Sequence, residues 1–245
     1  MLKKLRPKIG FPWTVRVIGF MVLATMLIAF ALMRMRVVSN TGKRKIVDFK
    51  HLQHLPYLLS CLGFFVGFLG LYVFYYYIQL YAIQVAGTDT DLAFYLLTIL
   101  NAGSFLGRLL PNYVAGPLGP LNVQIIFGLL SGILSFCLLA IKTTSGVLAF
   151  TCIYGFVSGP FVSLPIPVVA SVSPDKSVLG TRLGMSFAFI GLGVLIGEPA
   201  AGAILGAQEN WTGLIIWCGV MLVASSVILT GARYAKVGPS LMAKA

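Results

Sequence analysis

The chain has 245 residues, of which 58% are hydrophobic and 10% charged, with 27 glycines, a net charge of +12 and a mean hydropathy of +0.95. A soluble domain carries about a quarter charged residues, so this composition excludes a water-soluble globular protein. Apolar runs long enough to cross roughly 30 Å of hydrocarbon recur along the whole sequence, which predicts an all-α, multi-pass integral membrane protein.

Seven transmembrane helices are predicted, over 11–33, 57–80, 92–111, 121–141, 146–170, 183–205 and 211–233. The segment before the first, MLKKLRPKIG, holds Lys3, Lys4, Arg6 and Lys8 and lacks the small-residue cleavage region of a signal peptide. Arg16 lies near the end of span one, where its side chain can snorkel to the headgroups. The connection 34–56, RMRVVSNTGKRKIVDFKHLQHLP, carries Arg34, Arg36, Lys43, Arg44, Lys45 and Lys50. The positive-inside rule makes it cytoplasmic, together with the connection holding Lys176 and Arg182 and the tail holding Arg233, Lys236 and Lys244. The opposite connections, 81–91 and 206–210, carry no lysine or arginine. The N-terminal basic cluster then falls on the outer side. The expectation that resolves this is that Met1 begins mid-architecture, with further spans before it.

The basic residues flank spans and form no patch interleaved with aromatics, so nucleic acid is not an expected partner. Cys61, Cys137, Cys152 and Cys218 all sit in apolar runs without disulfide or zinc spacing and are expected as buried packing groups. His51 and His54 lie in the basic connection with no cysteine or carboxylate cluster beside them, so neither a metal nor a cofactor is expected. Asn210, in ENWTG, has the pattern of a glycosylation acceptor on the outer side.

An ionisable or polar residue within a span marks a candidate site, because hydrocarbon penalises it unless it meets protein or water. In span two, Tyr72, Tyr75, Tyr76 and Gln79 follow the i, i+3, i+4, i+7 pattern and share a face. They fit either a cavity lining or an interfacial aromatic belt. In span three, LTILNAGSFLGRLLPN places Thr98, Asn101, Ser104, Arg108 and Asn112 within about a third of the helix circumference. Gly103 and Gly107 offer a smooth strip to a neighbouring helix. The Arg108 guanidinium suits a carboxylate through two parallel hydrogen bonds; the alternative is that it pins the span to headgroups. In span five, Pro160, Pro165 and Pro167 break the helix, as in transporters whose cargo binds at discontinuous helices. In span six, Glu198 precedes Pro199 and is the candidate proton carrier. A structural acid bonded to a neighbouring helix, or one wetted at the surface, is the other reading.

The stretches GFPWTVRVIGFMVLATMLIA, GLYVFYYYIQLYA, LLTILNAGSFLGRLLPNYVAGPLGPLN, YGFVSGPFVSLPIPVV and GTRLGMSFAFIGLGVLIGEPAAGAIL resemble, in order, the monocarboxylate-transporter-like family of the major facilitator superfamily, in its fungal branch. The resemblance implies a fold of twelve spans in two halves, with the present segments matching spans six to twelve. Residues 1–33 would be the last helix of an incomplete N-terminal half, 34–56 the central cytoplasmic loop, 57–235 the six-helix C-terminal half and 236–245 a cytoplasmic tail. It further implies that Arg108 stands at the family's arginine, which takes the substrate carboxylate. Ser104 stands at the proton-carrying aspartate, so coupling falls to Glu198 or to a residue this chain lacks. Gly116 and Pro117 replace the acidic and basic residues of the signature after that span, and Phe74 replaces a proline in the seventh.

The expected function is secondary active or facilitative transport of small organic solutes by alternating access, without enzymatic activity. Arg108, Ser104, Asn101, Tyr76 and Gln79 would contact the solute. The implied partners are the lipid bilayer, a small organic anion such as a monocarboxylate, and protons in a symporter; the implied location is the plasma membrane. A truncated or wrongly assembled gene product without transport, and a seven-span receptor, are the rival readings. Against the receptor stand the missing loop cysteines and the glycine- and proline-broken spans.

Overall fold

A computed structural model describes residues 2–33, 52–173 and 178–238 of the chain. The described residues are helical and contain no strand, and seven helical stretches are long and apolar enough to cross a membrane. They are Gly10–Leu32, Leu55–Gln84, Thr90–Leu118, Pro120–Ala140, Thr144–Ser171, Leu179–Leu205 and Trp211–Val237. The all-α, seven-span expectation therefore matches the structure, with each helix beginning or ending a few residues beyond its apolar run. The basic segment 34–51, Lys176 and the tail 239–245 lie outside the described residues.

The chain divides into two units, Met1–Arg44 and Lys45–Ala245. The first contains α1 (Leu2–Leu32), which is kinked at Gly10, where φ is 75°. Past the kink the Thr14 hydroxyl donates to the Gly10 carbonyl at 2.7 Å. The Arg16 guanidinium lies 4.9 Å over the Trp13 ring, so an aromatic face receives the cation.

The second unit contains α2 (Leu55–Leu71), α3 (Val73–Gln84), α4 (Thr90–Leu118), α5 (Pro120–Cys137), α6 (Thr144–Ser163), α7 (Pro165–Ser171), α8 (Leu179–Leu205) and α9 (Trp211–Val237). Local chemistry sets their starts. Asp89, Thr143 and Asn210 cap α4, α6 and α9 by accepting from the backbone N–H groups of Asp91, Gly146 and Gly213. Asn210, the glycosylation candidate, thus has its side-chain oxygen engaged in the cap. Gly119 alone joins α4 to α5 with φ 92°, a conformation that needs glycine.

Lipid offers no hydrophobic drive between helices, so small residues and interhelical hydrogen bonds decide which faces meet. The closest pairs are α4 with α6, α2 with α9, α5 with α9 and α2 with α8. In the α4–α6 pair the glycines interlock. A Cβ added at Gly103 or at Gly159 would stand 2.6 Å from the carbonyl oxygen of Cys152 or of Ser104. Gly107 and Gly155 are tighter still, against the Phe156 and Leu100 carbonyls. Two apolar clusters fill the unit. One gathers Tyr57, Phe64, Phe68, Phe161, Leu222 and Leu229, the other Phe74, Ile78, Leu96, Leu100, Phe150 and Tyr154.

Two spans are interrupted, and in both a side chain from another helix serves the loosened backbone. Pro165 has no N–H for the Phe161 carbonyl, and the buried Gln124 amide of α5 donates to that carbonyl at 3.2 Å. The α2–α3 break falls at Tyr72 without a proline. There the Tyr75 N–H turns back to the Tyr72 carbonyl at 2.9 Å. The Leu71 and Leu69 carbonyls accept from Tyr154 Oη at 3.0 Å and Trp217 Nε1 at 3.3 Å. The span keeps its discontinuity although Phe74 occupies the position that the family resemblance gives to proline.

Candidate functional site

The polar stripe expected along α4 divides between two faces. Thr98, Asn101 and Arg108 are exposed on the unit, whereas Ser104 is 1% exposed and lies in the seam with α6. The Ser104 hydroxyl is buried there and has no hydrogen-bond partner among the described residues. Asn112, one turn beyond Arg108, is half-buried; its amide donates to Ser163 Oγ at 2.9 Å, and the hydroxyl returns a bond at 3.1 Å. Asn101 stays on its own helix, donating to the Leu97 carbonyl at 2.8 Å.

The tyrosines of the α2–α3 break stand beside this open face. Tyr72 packs edge-on against Tyr75 with ring centroids 5.3 Å apart, and lies within electrostatic reach of Tyr76 and Arg108. Tyr76 is 67% exposed, and the Gln79 amide reaches the Phe94 carbonyl of α4 at 3.5 Å. Arg108 and the tyrosine face therefore share one neighbourhood, with Gln79 tying α3 to α4. No carboxylate pairs with Arg108 among the described residues.

Glu198 sits on α8 with one carboxyl oxygen, Oε2, buried and without a hydrogen-bond partner among the described residues. Its electrostatic neighbours include Cys218 and Tyr154, and Tyr154 in turn senses Tyr75. Tyr75 also shares a 3.1 Å contact between hydroxyls with Ser158 of α6. Tyr154 was not singled out in the sequence. It is a lone polar tip in an apolar run, and only its neighbours on α3 and α8 give it a place in the site.

Two sequence expectations are corrected. Arg182 is expected in the cytoplasmic connection before span six, but α8 begins at Leu179 and Arg182 is 3% exposed. Its guanidinium lies 4.9 Å over the Tyr57 ring and Nη1 donates at 3.1 Å to the carbonyl of Val172, the residue that caps α7. A helix end supplies unsatisfied carbonyls, and the Val172 carbonyl is one that this buried cation takes. The Tyr57 hydroxyl donates back to the Arg182 carbonyl at 2.8 Å. The cysteines also differ from expectation: Cys61 and Cys218 are buried, but Cys137 and Cys152 are exposed on the unit, and all four are free.

Among the described residues there is no group of three or more His, Cys, Asp or Glu side chains able to hold a metal ion. No family model matches the chain. Individual relatives are similar over nearly its whole length. It is 38% identical over 231 residues to the MFS-type transporter dbaD of Emericella nidulans, covering 94% of this chain and 52% of the relative. The Agnestins efflux protein AgnL12 of Paecilomyces divaricatus is 31% identical, over 100% of this chain and 55% of its own length. The Aspyridones efflux protein apdF of Emericella nidulans is 29% identical, over 92% of this chain and 46% of its own. The chain spans about half the length of these curated relatives. This multi-pass membrane chain is homologous to fungal MFS-type transporters along most of its length, which supports its membership of the major facilitator superfamily.

Proposed function

We propose that the chain belongs to a secondary active or facilitative transporter that moves a small, monocarboxylate-like organic solute across the membrane by alternating access. The observation that carries this reading is Arg108, exposed on α4 beside the Tyr72–Tyr76 face, with no carboxylate paired to it among the described residues. A guanidinium within an apolar span is costly unless it meets water, protein or an anion. Its planar fork matches a carboxylate in two parallel bonds.

In this reading Arg108 takes the anionic group and Asn101, Tyr76 and Gln79 line the path. Ser104 is closed into the α4–α6 seam and reaches a solute only when that seam opens. Glu198 is the proton carrier of a symport cycle, since Ser104 holds no acidic proton. Residues 1–33 correspond to the closing helix of a first half, 34–56 to the cytoplasmic central loop, 57–235 to a six-helix second half and 236–245 to a tail, in the plasma membrane. Two relatives are named as efflux proteins, for agnestins and aspyridones, which favours outward movement of an organic product.

The test is flux of labelled small carboxylates through liposomes containing the chain, with Arg108→Ala and Arg108→Lys alongside. Arg108→Ala is expected to abolish flux and Arg108→Lys to reduce it at least tenfold. Flux that is unchanged in Arg108→Ala contradicts the site; no flux in the unaltered chain contradicts transport by this chain.

A further inference from the structure

A cavity of about 600 Å³ opens between the end of α4, the start of α5 and the end of α9. Pro117, Leu118, Ile125 and Ile126 give it apolar walls, and Asn122, Thr230 and Arg233 supply its polar part. The Arg233 Nε donates to Asn122 Oδ1 at 2.5 Å, which fixes the plane of the guanidinium. Asn122 is the third residue of α5, and Arg233 lies about one turn before the end of α9 at Val237. Both therefore lie near one membrane surface, the side on which the positive-inside rule places the basic connections. Around the cavity the outward residues are those of a lipid-facing wall: Ile126, Leu129 and Leu130 on α5 and Val227 on α9 are all exposed on the unit.

We infer that this cavity is a binding site for an anionic phospholipid of the cytoplasmic leaflet. The oriented guanidinium takes the phosphate and carboxylate oxygens of the headgroup, and the Pro117–Ile126 walls hold the upper acyl chains. Three features select this occupant. The cavity is apolar except at one end, its cation lies at headgroup depth, and the cytoplasmic leaflet is where anionic lipids concentrate. A soluble anion would have no use for the apolar walls. A zwitterionic lipid would bring an ammonium group to an arginine.

The experiment is native mass spectrometry of the full chain released from neutral detergent micelles containing equal phosphatidylserine and phosphatidylcholine. The site predicts retention of one phosphatidylserine with a preference of about fivefold or more over phosphatidylcholine, the worth of one basic residue at a membrane surface. Arg233→Gln should abolish the preference. Ile126→Trp, at a position half exposed on the unit, should fill the cavity and lose the bound lipid while the thermal unfolding transition is retained. Lys142→Gln removes the same charge at an exposed position beyond the far end of α5 and should keep the preference. Equal retention of the two lipids, an Arg233→Gln chain that keeps the preference, or displacement of the lipid by inorganic phosphate would each overturn the proposal.

Discussion

The two faces of α4 differ in almost every respect. Toward α6 the helix presents Gly103, Gly107 and the buried Ser104, so close that backbone meets backbone. Toward the tyrosine face it presents Asn101 and Arg108, with room around them. In a bilayer the first face holds the helix in place, because dispersion contacts between small residues are what lipid cannot match. The second face contributes little to that packing, and its polar residues are the ones that the proposed function assigns to a solute. The difference teaches that a polar stripe in a span should be divided by its small-residue neighbours before roles are assigned to it.

The largest way to break this contrast is to fill the closed face. Gly107→Leu would drive a side chain into the Phe156 carbonyl and should cost about 3 kcal/mol or more. Thermal unfolding in detergent would show it as loss of a cooperative transition. Gly116→Ala, on the same helix where nothing lies within 4 Å of the new Cβ, should leave the transition in place. Equal effects at the two glycines would deny that the seam is the structural face.

A middle-sized effect is expected where a side chain from another helix serves an interrupted span. Gln124→Leu leaves the Phe161 carbonyl without the donor that Pro165 cannot supply, and Tyr154→Phe does the same to Leu71. Each should destabilise the unit by about 1 kcal/mol, the usual size of an interhelical hydrogen bond in a membrane. Double replacement of Gln124 and of Pro165 by leucines should recover most of the first loss, because the helix then supplies its own donor.

How much of this was legible in the sequence depended on range. The seven spans are a property of local composition, so their number and approximate limits could be read directly. The glycine pair on α4 was legible too, being local in spacing. The division of the stripe was not, because the fate of Ser104 is set by Gly155 and Gly159, some fifty residues away. Arg182 looked like loop charge because its partners, Val172 and Tyr57, come from two other helices. The break at Tyr72 carries no proline to announce it, and the donors Tyr154 and Trp217 that support it are distant in the chain. The exposure of Cys137 and Cys152 is not legible because an apolar run does not say which of its sides packs against other helices.

The smallest expected effect lies at the end of α2. His54 begins that helix, and burial, with the Arg182 charge as the lesser cause, holds its imidazole below the usual value of 6.5. The folded state therefore binds its proton less readily than the unfolded state does. That stabilising contribution is complete above pH 6.5 and is lost as pH falls from there through the lowered folded value. Unfolding temperature measured from pH 7.5 to 5 should decline more steeply in the unaltered chain than in His54→Gln. Parallel curves would mean that His54 is not held neutral by its surroundings.

The proposal that the Arg108 face of α4 meets water, extended here to an outward surface of α6 against lipid, is tested by thiol accessibility. Two single-cysteine chains are compared in membranes with a charged, membrane-impermeant maleimide, one carrying Arg108→Cys and the other retaining only the native Cys152. The account predicts modification of the Arg108→Cys chain and little or none of the Cys152 chain, although both positions are exposed on the unit. A protected thiol at position 108 beside a reactive Cys152 would contradict it.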